Sequence, residues 1–313
     1  MKRKFDFTKY APLFALIILC VISALASPYF LKTRNLLNIL RQVSYTGVIG
    51  LGMTFVIISG GIDLSVGSMV ALVGGIAVTT LNYFGGGTFA IFMAILTGSL
   101  VGILCGMFNG LIVTKGRIAP FIVTLGTMSI FRSLTLYIKN AGEFRSESAL
   151  YPKIGAGFFL GMPIPVWVFL VLAILFQVLL SNTRYGRYVC AVGSNEQVAL
   201  YSAIKVNLIK FFTYVLTGLT VGVSAVMLSA RLNSISSTNA GVYYELDAIA
   251  AVVIGGTSMS GGSGTIYGTV IGAIILGIIN NMLNMLGVSP YLQGTVKGLV
   301  IILAVLLQYK KKN

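Results

Sequence analysis

Apolar runs recur along almost the whole chain, and nothing constrains its fold more. They fall at about 11–27, 43–59, 68–83, 89–112, 118–138, 164–180, 208–230, 247–260, 266–286 and 291–307, each bounded by Gly, Pro or charge. A hydrocarbon core about 30 Å thick takes roughly 20 apolar residues per helical crossing. Helices serve because, in lipid, the backbone must satisfy its own hydrogen bonds. The pattern predicts an all-α polytopic membrane protein with about ten transmembrane helices in a single domain, 1–313. Of 313 residues only 9% are charged, against about 25% in soluble domains. Too few ionic groups exist to build a solvated surface, so the lipid bilayer is the first expected partner.

The sign of the charges orients the chain. Lys and Arg total 22 against 7 Asp and Glu, and basic residues concentrate on the cytoplasmic side of membrane proteins. With Lys2, Arg3 and Lys4 inside, ten crossings return Lys310, Lys311 and Lys312 to the same side. Lys115 and Arg117 fall there too, as does a loop at about 181–207 carrying Arg184, Arg187, Lys205 and Lys210. The outer loop, about 139–163, carries Glu143 and Glu147. Lys32, Arg34 and Arg41 fall outside, and an amphipathic helix along the interface would accommodate them. Basic–aromatic clusters on a polar domain are missing, so no nucleic acid is expected. The N-terminal run, ending in Ala24-Leu25-Ala26, has the pattern of a cleavable signal. An uncleaved first span fits the orientation better.

Several motifs suggest how the spans pack. Gly102, Gly106 and Gly110 form a stripe at four-residue spacing, repeated at Gly218/Gly222 and Gly268/Gly272; such stripes let helix backbones approach closely. A weak internal repeat pairs Ser59-Gly60-Gly61 with Gly255-Gly256. It also pairs Gly102…Asn109 with Gly277…Asn284 at an offset of 175 (277−102 and 284−109). Both blocks precede a Pro-aromatic pair, Pro120-Phe121 and Pro290-Tyr291. An odd number of intervening crossings would make the two halves inverted, with a central pathway between them. Cys20, Cys105 and Cys190 fit neither disulfides nor a metal site.

Candidate functional residues are few. Asp63 lies in Gly60-Gly61-Ile62-Asp63-Leu64-Ser65 between two spans. An ionisable group near the membrane core is a functional candidate, yet its carboxylate can equally cap the next helix. Asn109, Asn280, Asn281 and Asn284, with Thr124, Thr127 and Ser129, could bind a polyhydroxylated solute or hold helices together. Ser194-Asn195-Glu196-Gln197 reads as a capping box with Ser194 at the N-cap. The short helix it opens would present Val198, Tyr201 and Ser202 to a soluble partner. Catalysis is not expected. Gly261-Gly262-Ser263-Gly264 resembles a serine-protease turn, but the chain has no histidine, and no P-loop occurs.

Three ordered motifs then point to a family. Gly60-Gly61-Ile62-Asp63-Leu64-Ser65-Val66-Gly67-Ser68, Tyr244-Glu245-Leu246-Asp247 through Gly256-Thr257, and Leu276-Gly277 through Gly287-Val288 resemble the permease subunits of ribose-type (monosaccharide) ABC importers. The likeness runs from about Ser27 to Lys311. It implies a homodimer of permeases in the cytoplasmic membrane, two cytoplasmic ATPase subunits that use the ATP, and an extracytoplasmic sugar-binding protein. No cofactor is expected on this chain. It further implies that Gly193–Val206 couples to the ATPase, through Gly193, Ser194, Asn195, Glu196, Val198, Ala199, Tyr201, Ser202, Ala203 and Ile204. Gly60, Gly61, Asp63, Ser65, Asn109, Asn280, Asn281 and Asn284 become pathway candidates, and Glu245 and Asp247 candidates for docking the binding protein near the outer face. One departure stands out: Ser202-Ala203-Ile204 replaces the family's usual Ser-Gly-Ile. A proton-coupled secondary sugar transporter using Asp63 is the alternative.

Overall fold

The computed structural model describes residues 7–310; the basic residues Lys2–Lys4, Lys311 and Lys312 lie outside them. The helices are α1 (Phe7–Ala26), α2 (Thr33–Ile58), α3 (Val66–Tyr83), α4 (Thr88–Lys115), α5 (Pro120–Lys139), α6 (Pro152–Ala156), α7 (Ile164–Asn182), α8 (Arg184–Ser194), α9 (Glu196–Tyr201), α10 (Val206–Leu232), α11 (Tyr244–Ile254), α12 (Ile266–Met285) and α13 (Pro290–Lys310). Short strands β1 (Glu143–Arg145) and β4 (Ser234–Ser236) pair antiparallel, as do β2 (Phe158–Phe159) and β3 (Met162–Pro163). Among the described residues, α2, α3, α4, α5, α7, α10 and α12 are long and apolar enough to cross a membrane.

Two expectations change. The run predicted over 247–260 is helical only as α11, 11 residues or about 16 Å long, too short to cross. Gly255-Gly256 ends it, and Gly256 turns the chain at φ 90°, a conformation open to glycine. Nor is there a separate interfacial helix around Lys32–Arg41. Thr33 opens a single helix of 26 residues, about 39 Å long. The Arg41 guanidinium lies over the Phe158 ring at 5.0 Å and donates to the Ala156 carbonyl, so the protein itself partners that charge.

The core forms around α2, whose Val43–Ile58 stretch is buried almost throughout against α7, α10, α11 and α12. The most extensive helix pair is α4 with α10, and the glycine stripe makes it. A Cβ at Gly102 or Gly106 would overlap the carbonyl oxygens of Gly218 and Tyr214, and one at Gly218 the Gly102 oxygen. With no hydrophobic drive between helices in lipid, such close backbone packing is what holds a pair together.

Helix directions bear on the predicted repeat. The Gly262 amide donates to the Ile58 carbonyl at 2.8 Å, so the glycine breaks after α2 and after α11 lie at the same end of the bundle. α3 and α12 therefore leave that end in the same sense, and this first pair of blocks is not inverted. The second pair does run in opposite senses. Gly102 through Asn109 descends along α4, antiparallel to α10, whereas α12 starts from the end where α4 finishes.

Candidate functional site

Two groups of the predicted residues meet around the end of the bundle where α2 and α4 finish. The first is a junction of backbones. α8 and α9 meet in an elbow at Gly193–Asn195, and that elbow sits directly on both glycine breaks. A Cβ at Gly193 would overlap the Ile58 carbonyl oxygen and lie 2.6 Å from the Gly262 nitrogen. Gly262, at φ 80°, packs in turn on Ser194. Only residues without side chains allow three segments to stack this closely.

The predicted capping box is corrected here. Asn195, not Ser194, is the N-cap of α9: its backbone is extended (φ −160°, ψ 107°) and its Oδ1 accepts from the Val198 amide at 3.1 Å. Ser194 still belongs to α8, and its hydroxyl donates to the Cys190 carbonyl. Glu196 stands in the first turn of α9, as expected, but its carboxylate is held by Lys210 at 2.6 Å. Ala199 is buried, while Val198, Leu200 and Tyr201 are exposed on this short helix; Ser202 bonds back to the Val198 carbonyl. The helix ends with the Ile204 amide on the Ala199 carbonyl and the Ala203 amide on the Leu200 carbonyl. Ala203 therefore takes φ 58°, the left-handed position that usually holds glycine.

The second group surrounds Asp63. After Gly60 (exposed) and Gly61, the chain runs without helix until Val66. Asp63 and Ser65 are fully buried. The Asp63 Oδ1 accepts from the Ser65 amide at 2.9 Å and the Ser65 hydroxyl at 2.6 Å, and Asn109 Nδ2 donates to Ser65 Oγ at 2.8 Å. Longer contacts join Asn109 to both Asp63 oxygens. Thr124 and Tyr214 hydroxyls donate to the Ile62 carbonyl, while Thr127 bonds locally to the Thr124 carbonyl. Non-helical backbone at depth persists where protein covers it, and here α4, α5 and α10 cover it. The carboxylate starts α3 through its neighbour's amide and ties that start to α4.

Directly beyond lies a cleft that the sequence reading missed. Ser68 of α3, Ser129, Arg132 and Ser133 of α5, and Glu245 of α11 line a cavity of about 360 Å³. Arg132 stands about 18 Å along α5, near mid-crossing. Its guanidinium donates to the Ser237 and Ala240 carbonyls at 2.9 and 2.8 Å. It thereby holds the turns that bring the chain back to the N-terminus of α11, where Gly241 and Glu245 press on Gly67. An arginine in the run 118–138 was the available signal, since intramembrane charges face the bundle or water.

The remaining candidates lie elsewhere. Asn281 exchanges amide hydrogen bonds with Asn35 at 2.8 and 3.1 Å, and Asn284 accepts from Gln293. Asn280 and Asn284 line a separate polar chamber of about 240 Å³ with Tyr45, Arg231, Asp247 and Lys297. Asp247, expected near a docking surface, is 6% exposed and ion-paired to Lys297 at 2.9 Å, so its carboxylate is engaged within the chain. Glu245 lines the cleft instead. Asn109 and Asn280–Asn284 thus do not form one polar track.

The sequence is similar to that of known membrane permeases. Residues 35–305 match the permease family described as "Branched-chain amino acid transport system / permease component". The chain is 46% identical to the ribose import permease protein RbsC of Bacillus subtilis (strain 168), over 97% of this chain and 93% of that one. It is 39% identical to the D-allose transport system permease protein AlsC of Escherichia coli (strain K12), over 98% and 94%. It is 34% identical to the L-arabinose ABC transporter permease protein AraH of Azospirillum brasilense, over 95% and 86%. No solved structure matches the chain. A helical bundle of membrane-crossing length, matched along almost its whole extent, belongs to that family of membrane permease components.

Proposed function

We propose that this chain is the membrane-spanning subunit of an ATP-driven importer that moves ribose or a similar monosaccharide by alternating access. The observation that carries the mechanism is the junction at Gly193. A partner ATPase pushing on α9 acts, through the α8–α9 elbow, on the backbone where α2 and α11 break. No flexible side chain intervenes to absorb the movement. Such an elbow converts a displacement outside the membrane into tilting of packed helices, the rigid-body kind of transition that transporters use. The sugar class follows the relatives, whose names specify ribose, D-allose and L-arabinose.

In this reading the elbow faces the cytoplasm. Lys115, Arg117, Arg184, Arg187, Lys205 and Lys210 gather at that end, as basic residues do on the inner side. α1, α13 and the broken crossing made by 237–243 with α11 bring the total to ten, with α4–α5 inverted relative to α12–α13. Two copies would face each other across the cleft of Ser68, Ser129, Arg132, Ser133 and Glu245, and the sugar would pass between them. Hydroxyls and one charge of each sign suit a neutral polyol held weakly enough to leave. ATP is then hydrolysed by separate subunits, and a sugar-binding protein delivers the cargo from outside.

Reconstitution tests this. Proteoliposomes holding the chain with its ATPase and binding protein should accumulate labelled ribose only with ATP inside, and an uncoupler should leave the rate unchanged. Uptake that persists without ATP and collapses with an uncoupler would establish the proton-coupled alternative through Asp63.

A further inference from the structure

A second, larger cavity shares the coupling helix α9 as a wall but takes no part in the proposed sugar pathway. A groove of about 1250 Å³ runs between the α4–α5 turn and α9 with the start of α10. That exceeds the roughly 300–1,000 Å³ typical of small-molecule sites, and a monosaccharide would rattle in it. Its rim is basic. Lys115, Arg117 and Lys205 are exposed and have no ion-pair partner among the described residues, while Lys210 and Glu196 neutralise each other. Arg117 is held out on a turn at φ 53°. Below the rim the walls become apolar, through Leu111 of α4 and Leu208 of α10, both substantially exposed. Leu111 lies about 6 Å deeper than Lys115 along α4, and Phe211 about 7 Å beyond the start of α10.

From this layering we infer that the groove binds an anionic phospholipid of the adjoining leaflet. The phosphate sits among Lys115, Arg117 and Lys205, and an acyl chain lies along Leu111, Leu208 and Phe211. Basic pockets between membrane helices on the cytoplasmic side attract anionic headgroups for this reason. A soluble domain could meet the rim but not the floor, which continues into the hydrocarbon level. Because α9 forms one wall, a bound lipid would brace the element that the ATPase is proposed to push. The inference rests on the chain crossing a membrane and not on the identity of its sugar.

The test uses the full-length chain in nanodiscs of phosphatidylglycerol and phosphatidylcholine, released into native mass spectrometry. Phosphatidylglycerol should be retained in preference to phosphatidylcholine. A Lys115→Gln/Arg117→Gln/Lys205→Gln variant should hold it on the order of a hundredfold less well. A Lys115→Arg/Lys205→Arg variant, which keeps the charge, should retain it and shows that loss is not misfolding. A phosphatidylglycerol with a photoreactive acyl chain should label the segment 111–120 or 200–211. Equal retention of both lipids, or unchanged retention by the Gln variant, would overturn the inference. So would labelling confined to other segments, or a groove covered in the assembled importer by the ATPase or a second copy.

Discussion

The junction at Gly193 and the cleft at Arg132 are built from different materials. At the junction, backbone meets backbone: the Ile58 carbonyl, the Gly262 amide and Gly193 are stacked with no side chain between them. At the cleft, side chains of α3, α5 and α11 leave open space, and a single arginine holds the surrounding loop by two hydrogen bonds. The first arrangement transmits displacement because it has no slack. The second tolerates changing contents because its walls are rotatable hydroxyls. A transporter needs both properties, and this chain keeps them in separate places.

The sharpest way to break the contrast is at Gly193. Gly193→Val places carbon where the Ile58 oxygen and Gly262 nitrogen stand, and backbone cannot yield as a side chain can. Overpacking of this kind costs about 1–3 kcal/mol, occasionally more. ATP-driven uptake in proteoliposomes should fall below detection while the chain still inserts and co-purifies with its partners. Retained uptake would mean the elbow does not carry the stroke.

At the cleft the corresponding change is Arg132→Ala. It strips the Ser237 and Ala240 carbonyls of their donor, and each buried group left unpaired costs about 1–3 kcal/mol. The turn before α11 should loosen, visible as faster amide exchange over 237–245, and uptake should drop by about tenfold or more. Arg132→Lys should recover only part, since one ammonium does not reproduce a fork that spans two carbonyls. By contrast Ser129→Ala, on the same wall but holding nothing beyond its own helix, should leave stability unchanged and alter uptake only modestly. If both serine and arginine changes behave alike, the distinction between wall and strut fails.

Asp63 lies between the two regions and separates their roles. Asp63→Asn keeps the shape and an oxygen for the Ser65 amide and hydroxyl, but sets an amide NH2 against the Asn109 Nδ2 that now donates to the second carboxylate oxygen. Losing one net hydrogen bond in this way costs about 1 kcal/mol in stability, read by thermal unfolding in detergent. Uptake should survive. Abolished uptake with unchanged stability would make Asp63 a working charge.

Much of this was legible in the residues, for identifiable reasons. Span order follows from hydropathy, and the Gly102/Gly106/Gly110 stripe gave the α4–α10 contact because four-residue spacing is one helix face. What failed was local geometry. Ser194 and Asn195 are both good caps, and only the backbone angles decide between them. The shortness of α11 was hidden because Gly255-Gly256 sits inside a continuous apolar run. Asn280 and Asn281 differ by about 100° around α12, so one faces the polar chamber and its neighbour faces Asn35. Arg132 is a cation in mid-run, a signal as readable as Asp63, but the turns it holds, 237–240, lie over a hundred residues away in sequence.

The smallest expected effect returns to the backbone at the junction. The resemblance to ribose-type permeases implied glycine where this chain has Ala203, and the backbone gives that position a physical meaning. The end of α9 closes with the Ile204 amide reaching back to Ala199, which forces residue 203 to φ 58°. Glycine adopts that angle freely, whereas alanine carries a Cβ that crowds the backbone. Ala203→Gly should relieve strain of about 1 kcal/mol, offset in part by the greater freedom of glycine in the unfolded chain. The net gain should appear locally, as slower amide exchange at Ile204 and the last turn of α9, with little change in global unfolding. Faster exchange there would mean the alanine contributes packing that outweighs its strain. The family's glycine would then serve the partner surface and not the helix end.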